Sequence, residues 1–178
     1  MVLWNNQLTE KSAEALGNRL PELNSLEKIY VNFSNNKIGD GGVRLLNKAM
    51  IELPLLREVK LGLDSTNLTE VGCRYIGRML SVHRNLTKLD LSLRANKIGL
   101  TGLEFIGAGL KDAKKLSQLW LVLEGCKVTD DGILLLSKVL PRLKQLQTVY
   151  MNLADCNIFD DGMFTLLKVL MTHVESAK

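Results

Sequence analysis

The sequence predicts an α/β solenoid made of one strand and one helix per thirty-residue repeat. Three observations carry that prediction. A phrase recurs every thirty residues without drift, its first half alternates apolar with polar residues, and its second half spaces apolar residues as a helix does. A fixed period of this length marks a stack of supersecondary units, each of which buries its apolar face only against its neighbours.

The columns are read directly. Leu26, Leu56, Leu86, Leu116 and Leu146 open five copies, so the repeats start at 26, 56, 86, 116 and 146. Three residues on stand Ile29, Val59, Leu89, Leu119 and Val149, followed by Val31, Leu61, Leu91, Leu121 and Met151. This period of two is that of a strand with one buried face. A glycine column follows at Gly42, Gly72, Gly102, Gly132 and Gly162, then Leu46, Ile76, Ile106, Leu136 and Leu166. Apolar positions 43, 46 and 50 follow helical spacing. Thr9, Thr69 and Thr129 stand where an N-cap is wanted, and the acidic residues after them suit the positive end of a helix dipole. Stepping back thirty residues places Leu3, Asn6, Leu8, Leu16 and Leu20 in a partial repeat over 1–25. The expected organisation is therefore a single domain over 1–178.

Between strand and helix runs the column Asn6, Asn36, Thr66, Asn96, Cys126 and Cys156. A side chain there turns inward and bonds loop backbone that would otherwise be buried unpaired. Cys126 and Cys156 are read as structural members of that ladder. Neighbouring rungs bring them close enough for a disulfide to be conceivable, with a reduced ladder the expectation. Three cysteines, an odd number, fit reduced thiols in an intracellular setting.

Composition narrows the function classes. Hydrophobic residues make up 46% and charged residues 24%, as in ordinary globular protein. The net charge of +4 is spread along the chain, with no concentrated basic patch for nucleic acid or an anionic membrane. No apolar run approaches the length of a transmembrane span, and MVLWNNQLTEKSAEALG lacks the build of a signal peptide.

The pattern LxxLxLxLxxNxIxxxG, seen for example in LDLSLRANKIGLTG at 89–102, resembles the leucine-rich repeat, in its ribonuclease-inhibitor-like class. One departure is an extra LxL step, giving thirty residues as in protist proteins of this kind. The resemblance implies a horseshoe arc with parallel strands on the concave face and helices on the convex face. It also implies a non-enzymatic recognition module or scaffold subunit of a larger assembly.

In that architecture the residues alternating with the buried leucines point out of the concave sheet. The columns are Tyr30, Lys60, Asp90, Trp120, Tyr150; then Asn32, Gly62, Ser92, Val122, Asn152; then Trp4, Ser34, Asp64, Arg94, Glu124, Ala154. Aromatic residues are only 5% of the chain, yet both tryptophans and two of three tyrosines fall here. Aromatics on a solvent-facing sheet are typical interface anchors. The expected partner-binding residues are Trp4, Tyr30, Lys60, Asp90, Arg94, Trp120, Glu124, Tyr150 and Asn152. Their charges are of both signs and stand close enough to pair laterally, which fits a protein partner and not a phosphate backbone.

The ends are the second expected contact, because solenoids need capping units with polar outer faces. Val2, Leu3 and Trp4 would form an unpaired edge strand. Leu170, Met171 and Val174 would lie beside a missing rung.

Catalytic chemistry finds no constellation. His83 and His173 share one column three rungs apart, at the turn leaving the helix, where a surface position is expected. GDGG at 39–42 lacks the spacing and lysine of a phosphate loop. Asp130, Asp131, Asp160 and Asp161 are read as helix N-terminal charges, not calcium ligands. No catalytic residue, cofactor, metal, nucleic acid, membrane insertion or small-molecule substrate is expected. A GTPase-activating protein of the Ran GTPase-activating type is the alternative function, and substrate recognition in a ubiquitin ligase or immune sensor would need an attached domain. The expected location is the cytoplasm, or else a ciliary or other organelle-associated complex.

Overall fold

A computed structural model of the chain describes residues 1–175, with side chains through Met171. Helices and strands alternate: α1 (Glu10–Arg19), β1 (Lys28–Asn32), α2 (Gly39–Met50), β2 (Glu58–Gly62), α3 (Glu70–Val82), β3 (Lys88–Ser92), α4 (Gly99–Leu110), β4 (Gln118–Val122), α5 (Asp130–Val139), β5 (Thr148–Asn152) and α6 (Asp160–Glu175). The five strands form one parallel sheet in sequence order. Every pairing steps by thirty residues, as in Lys28↔Glu58, Glu58↔Lys88, Lys88↔Gln118 and Gln118↔Thr148. The column register of the sequence is thus the register of the sheet.

One continuous core lies between the sheet and the helices. It takes Val59, Leu61, Leu89, Leu91, Leu119 and Leu121 from the strands, and Ile76, Leu80, Ile106, Leu110, Ile133 and Leu136 from the helices. At the C-terminal rung the same columns lose cover, so Val149, Met151 and Leu153 are only partly buried. Among the described residues no helix is long and apolar enough to cross a membrane.

The loops after the strands use two forms. Asn35, Ser65, Ala95, Gly125 and Asp155 all adopt left-handed φ between 51° and 67°, which turns the chain inward. In the rungs of α2 and α4, Gly39 and Gly99 are also left-handed and open the helix. In the others the left-handed residue is Asn67, Lys127 or Asn157, two positions earlier in register, and the helix starts one residue later. Thr9, Thr69 and Thr129 do hold N-cap positions, but only Thr69 bonds through its side chain, accepting from the Val71 amide. Acidic side chains of the preceding helix supplement this capping. Asp40 accepts from the Thr69 and Gly72 amides at 2.9 Å and from the Thr69 hydroxyl at 2.7 Å. Asp130 likewise accepts from the Phe159 amide at 3.0 Å. Asp130 thereby acts at a helix N-terminus, as expected.

Two histidine expectations need correction. His83 is buried, not on the surface, because it occupies a column whose members in the internal rungs, Leu53, Ala113 and Leu143, are all buried. Its Nε2–H donates to the Met50 carbonyl at 2.9 Å in the preceding rung. Burial pushes its pKa below the usual histidine value, against the opposing pull of that carbonyl. α6 continues through position 173 to Glu175, so His173 is within a helix and not at a turn. The side chains of His173 and Val174 lie outside the described residues.

Candidate functional site

The inward ladder comes first, because it fixes the loops that border the concave face. Asn36 and Asn96 are buried. Each donates from Nδ2 to two carbonyls at 2.9 Å or less, and accepts on Oδ1 from two amides of the preceding rung. Thr66 donates to the Leu63 carbonyl at 2.7 Å. Cys126 and Cys156 donate from Sγ to the Leu93 and Leu123 carbonyls, both at 3.0 Å. Cys73, Cys126 and Cys156 are all free thiols. Burial pushes the Cys126 thiol up to about 11, so it stays protonated and unreactive at neutral pH.

On the concave face three ion pairs link neighbouring rungs. Lys28 pairs with Glu58 at 2.6 Å, Lys60 with Asp90 at 2.6 Å, and Arg94 with Glu124 at 2.8 Å. Asn152 extends the last pair, donating to Glu124 at 3.0 Å. Asp64 does not pair with the Arg94 side chain. It accepts from the Ser92 hydroxyl and from the Arg94 amide instead. Glu58 also accepts from the Tyr30 hydroxyl. Bonds to Lys28 and Tyr30 hold the Glu58 carboxyl below its ordinary pKa, and the bond to Glu58 raises that of Tyr30.

Tyr30, Trp120 and Tyr150 fall in one row, Trp4 in another column, and their environments differ. Tyr30 and Tyr150 stand about half exposed. Trp120 is half-buried, with the Lys88 ammonium 5.0 Å from its ring centroid. Trp4 is exposed at the N-terminal edge. Gly62 of the outward columns is buried under Asn32, and one side-chain expectation fails: Ser34 is buried and accepts from the Asp64 amide. Its column lies just past the strand, where the chain already turns inward at Asn35.

Beside Tyr30 an open groove of about 330 Å³ crosses the sheet, walled by Tyr30, Lys60, Asp64, Asp90 and Ser92. Gly62 forms its floor, and a Cβ there would meet the Asn32 side chain at 2.6 Å. Among the described residues no group of three or more metal-ligating side chains occurs.

Period, parallel register and inward ladder together are the marks of one repeat family. The model of the leucine-rich repeat matches residues 29–46. The chain folds as a leucine-rich-repeat solenoid. Among solved structures it is similar to leiomodin-1 actin-binding site 2, at 14% identity and a TM-score of 0.62, covering 90% of this chain and 88% of that one. It is similar also to the tropomodulin C-terminal domain of Caenorhabditis elegans, at 14% identity and a TM-score of 0.62, covering 92% and 94%. At such identity the likeness is one of fold. No curated protein matches the chain.

Sequence reading missed two of the most exposed apolar residues. Phe159 and Phe164 are 71% and 70% exposed, and Leu134 on α5 is exposed beside them. The signal was in the columns: position 164 follows Arg44, Arg74, Glu104 and Leu134.

Proposed function

We propose that this chain is a non-enzymatic protein-recognition module that acts as a subunit of a larger assembly, using its concave sheet and its ends. The observation that carries the concave half is the aromatic row Tyr30, Trp120 and Tyr150 standing on a sheet whose charges are mostly paired across rungs. A partner meets a fixed platform there: the strand register sets the spacing, and the lateral ion pairs hold the polar side chains between the rings. Amphipathic rings on such a platform supply contact area at low entropic cost. Lys60, Asp90, Arg94, Glu124 and Asn152 supply polar register around them, and Trp4 adds an exposed ring at the N-terminal edge. The fold is shared with a leiomodin-1 region named for binding actin, which supports a protein partner. The cytoplasm, or a large organelle-associated complex, is the compartment this reading proposes.

The test compares wild type with a triple variant, Tyr30→Ala, Trp120→Ala and Tyr150→Ala, in a pull-down from native extract, with purified actin as a defined second probe. The three side chains are not core residues, so the variant keeps its circular dichroism and unfolding midpoint. Loss of partners recovered by wild type, with retention by a convex-face control (Arg44→Ala and Arg74→Ala), is the expected result. Equal recovery by the triple variant overturns the concave reading.

A further inference from the structure

The two ends of the solenoid are built differently. At the N-terminal end, residues 1–5 cover the outer edge of β1: the Met1 ammonium donates to the Tyr30 carbonyl, Leu3 N to Asn32 O, and Asn5 N to Ser34 O. α1 turns Lys11, Ala15 and an Arg19–Glu22 ion pair outward. That helix face is mostly polar, while Met1, Val2, Trp4 and Leu23 are exposed at the same end. At the C-terminal end, β5 (TVYMN) has no charged residue and a free edge, lacking the Lys or Pro that usually protects one.

α6 departs from its predecessors at the position that receives the next helix. That column reads Gly17, Asn47, Gly77, Gly107, Ser137 and then Leu167. The earlier residues are small because the following helix comes close: a Cβ on Gly77 would lie 2.2 Å from the Phe105 carbonyl oxygen. A leucine at 167 blocks that approach, so α6 is not shaped to accept a further helix at the internal spacing. Its apolar stripe is also rotated. Phe164, Leu167 and Met171 repeat at steps of three and four, the seam of a side-by-side helix pair, whereas position 164 faces solvent in every earlier rung.

We propose that this end, α6 together with the β5 edge, is a two-fold interface with a second copy of the chain. A two-fold axis along the sheet normal sets β5 antiparallel to its mate and α6 antiparallel to its mate in one operation, so both layers meet at once. The pairing brings no like charges together in the strand, because TVYMN has none. The apolar stripe is complementary to itself under this operation, as the charge-free β5 edge is to its own mate. Phe159, Phe164, Met163, Leu167 and Met171, between 39% and 71% exposed, offer roughly 500 Å² per copy at ordinary side-chain areas. With the strand edges added, that approaches the ~800 Å² per partner of a standard interface. The proposal deepens the end-burial half of the proposed function and is independent of the concave half.

The test is light scattering coupled to size-exclusion chromatography on the intact chain. Wild type is expected at twice the 19.9 kDa chain mass. Leu167→Glu and Leu167→Lys, at an exposed position, are each expected to be monomeric with an unchanged circular dichroism spectrum. Mixed in equal amounts, they are expected to restore the dimer, because the two-fold sets the opposite charges against each other. Tyr30→Ala with Trp120→Ala leaves the dimer intact even if it abolishes partner binding. A monomeric wild type, a dimer unaffected by either Leu167 variant, or growth into longer oligomers each overturns the proposal.

Discussion

Asn96→Ala tests whether the ladder holds the arc together. Its amide donates to the Leu63 and Leu93 carbonyls at 2.7 and 2.8 Å, and its Oδ1 accepts from the Thr66 and Leu68 amides at 3.1 and 2.9 Å. On truncation the two carbonyls keep partners, since Thr66 Oγ1 also donates to Leu63 and Cys126 Sγ to Leu93. The two amides do not. Thr66 and Leu68 are both fully buried, and a buried orphan donor costs about 1–3 kcal/mol. The expected loss is therefore ~4 kcal/mol, a shift of about 2 M in urea midpoint at a typical m-value. Asn36→Ala orphans the amides of exposed Asn6 and half-buried Leu8, where water replaces the lost acceptor, and should cost about half as much. Cys126→Ala removes one weak donor and should cost about 1 kcal/mol or less. Urea unfolding followed by circular dichroism reads all three. A loss below about 1 kcal/mol for Asn96→Ala, or a larger loss for Asn36→Ala, would refute the reasoning.

Two further outcomes follow from the helix layer. Gly77→Ala normally gains about 1 kcal/mol of helix propensity, but its Cβ would press on the Phe105 carbonyl at 2.2 Å, so overpacking of about 1–3 kcal/mol should outweigh the gain and lower the unfolding midpoint; a raised midpoint contradicts this. His83 has a folded-state pKa below its unfolded value of about 6.5, so its contribution is complete above pH 6.5 and is lost as pH falls from there toward the folded pKa. Urea midpoints should decline between pH 7 and 5, and His83→Gln should flatten that decline.

The period made the sheet legible because a solenoid repeats one environment: Leu61, Leu91 and Leu121 are buried alike because each has the same neighbours one rung away. Paired charges on the concave face were legible for the same reason, since Lys60 and Asp90 share a column. Strict alternation failed at Ser34, where the strand had already ended and left-handed Asn35 reset the direction of the chain. His83 was misread by residue type when its column in the internal rungs, Leu53, Ala113 and Leu143, was the better guide. The split between helix starts at Gly39 and Glu70 was invisible because both loop forms keep the thirty-residue count. The apolar end was only half seen, since attention to a missing rung picked out Leu170 and Met171 but not Phe159 or Phe164, whose columns change character only in the last rungs.

The paired charges also bear on how a partner is selected. Exposed ion pairs such as Lys60–Asp90 contribute only ~0–1 kcal/mol each, so they add little to the stability of the arc. A partner offering one sign of charge must nevertheless compete with a counter-charge already in place at 2.6–2.8 Å. Net electrostatic gain from an oppositely charged surface is correspondingly small on this sheet. The aromatic row meets only Lys88 over Trp120 and the bond from the Tyr30 hydroxyl to Glu58, neither of which covers the half-exposed faces of the tyrosine rings. Selectivity on the concave face should accordingly come from shape around Tyr30, Trp120 and Tyr150, with binding only weakly dependent on salt. A steep loss of binding between low and physiological ionic strength would show instead that unpaired charge elsewhere on the arc does the recognising.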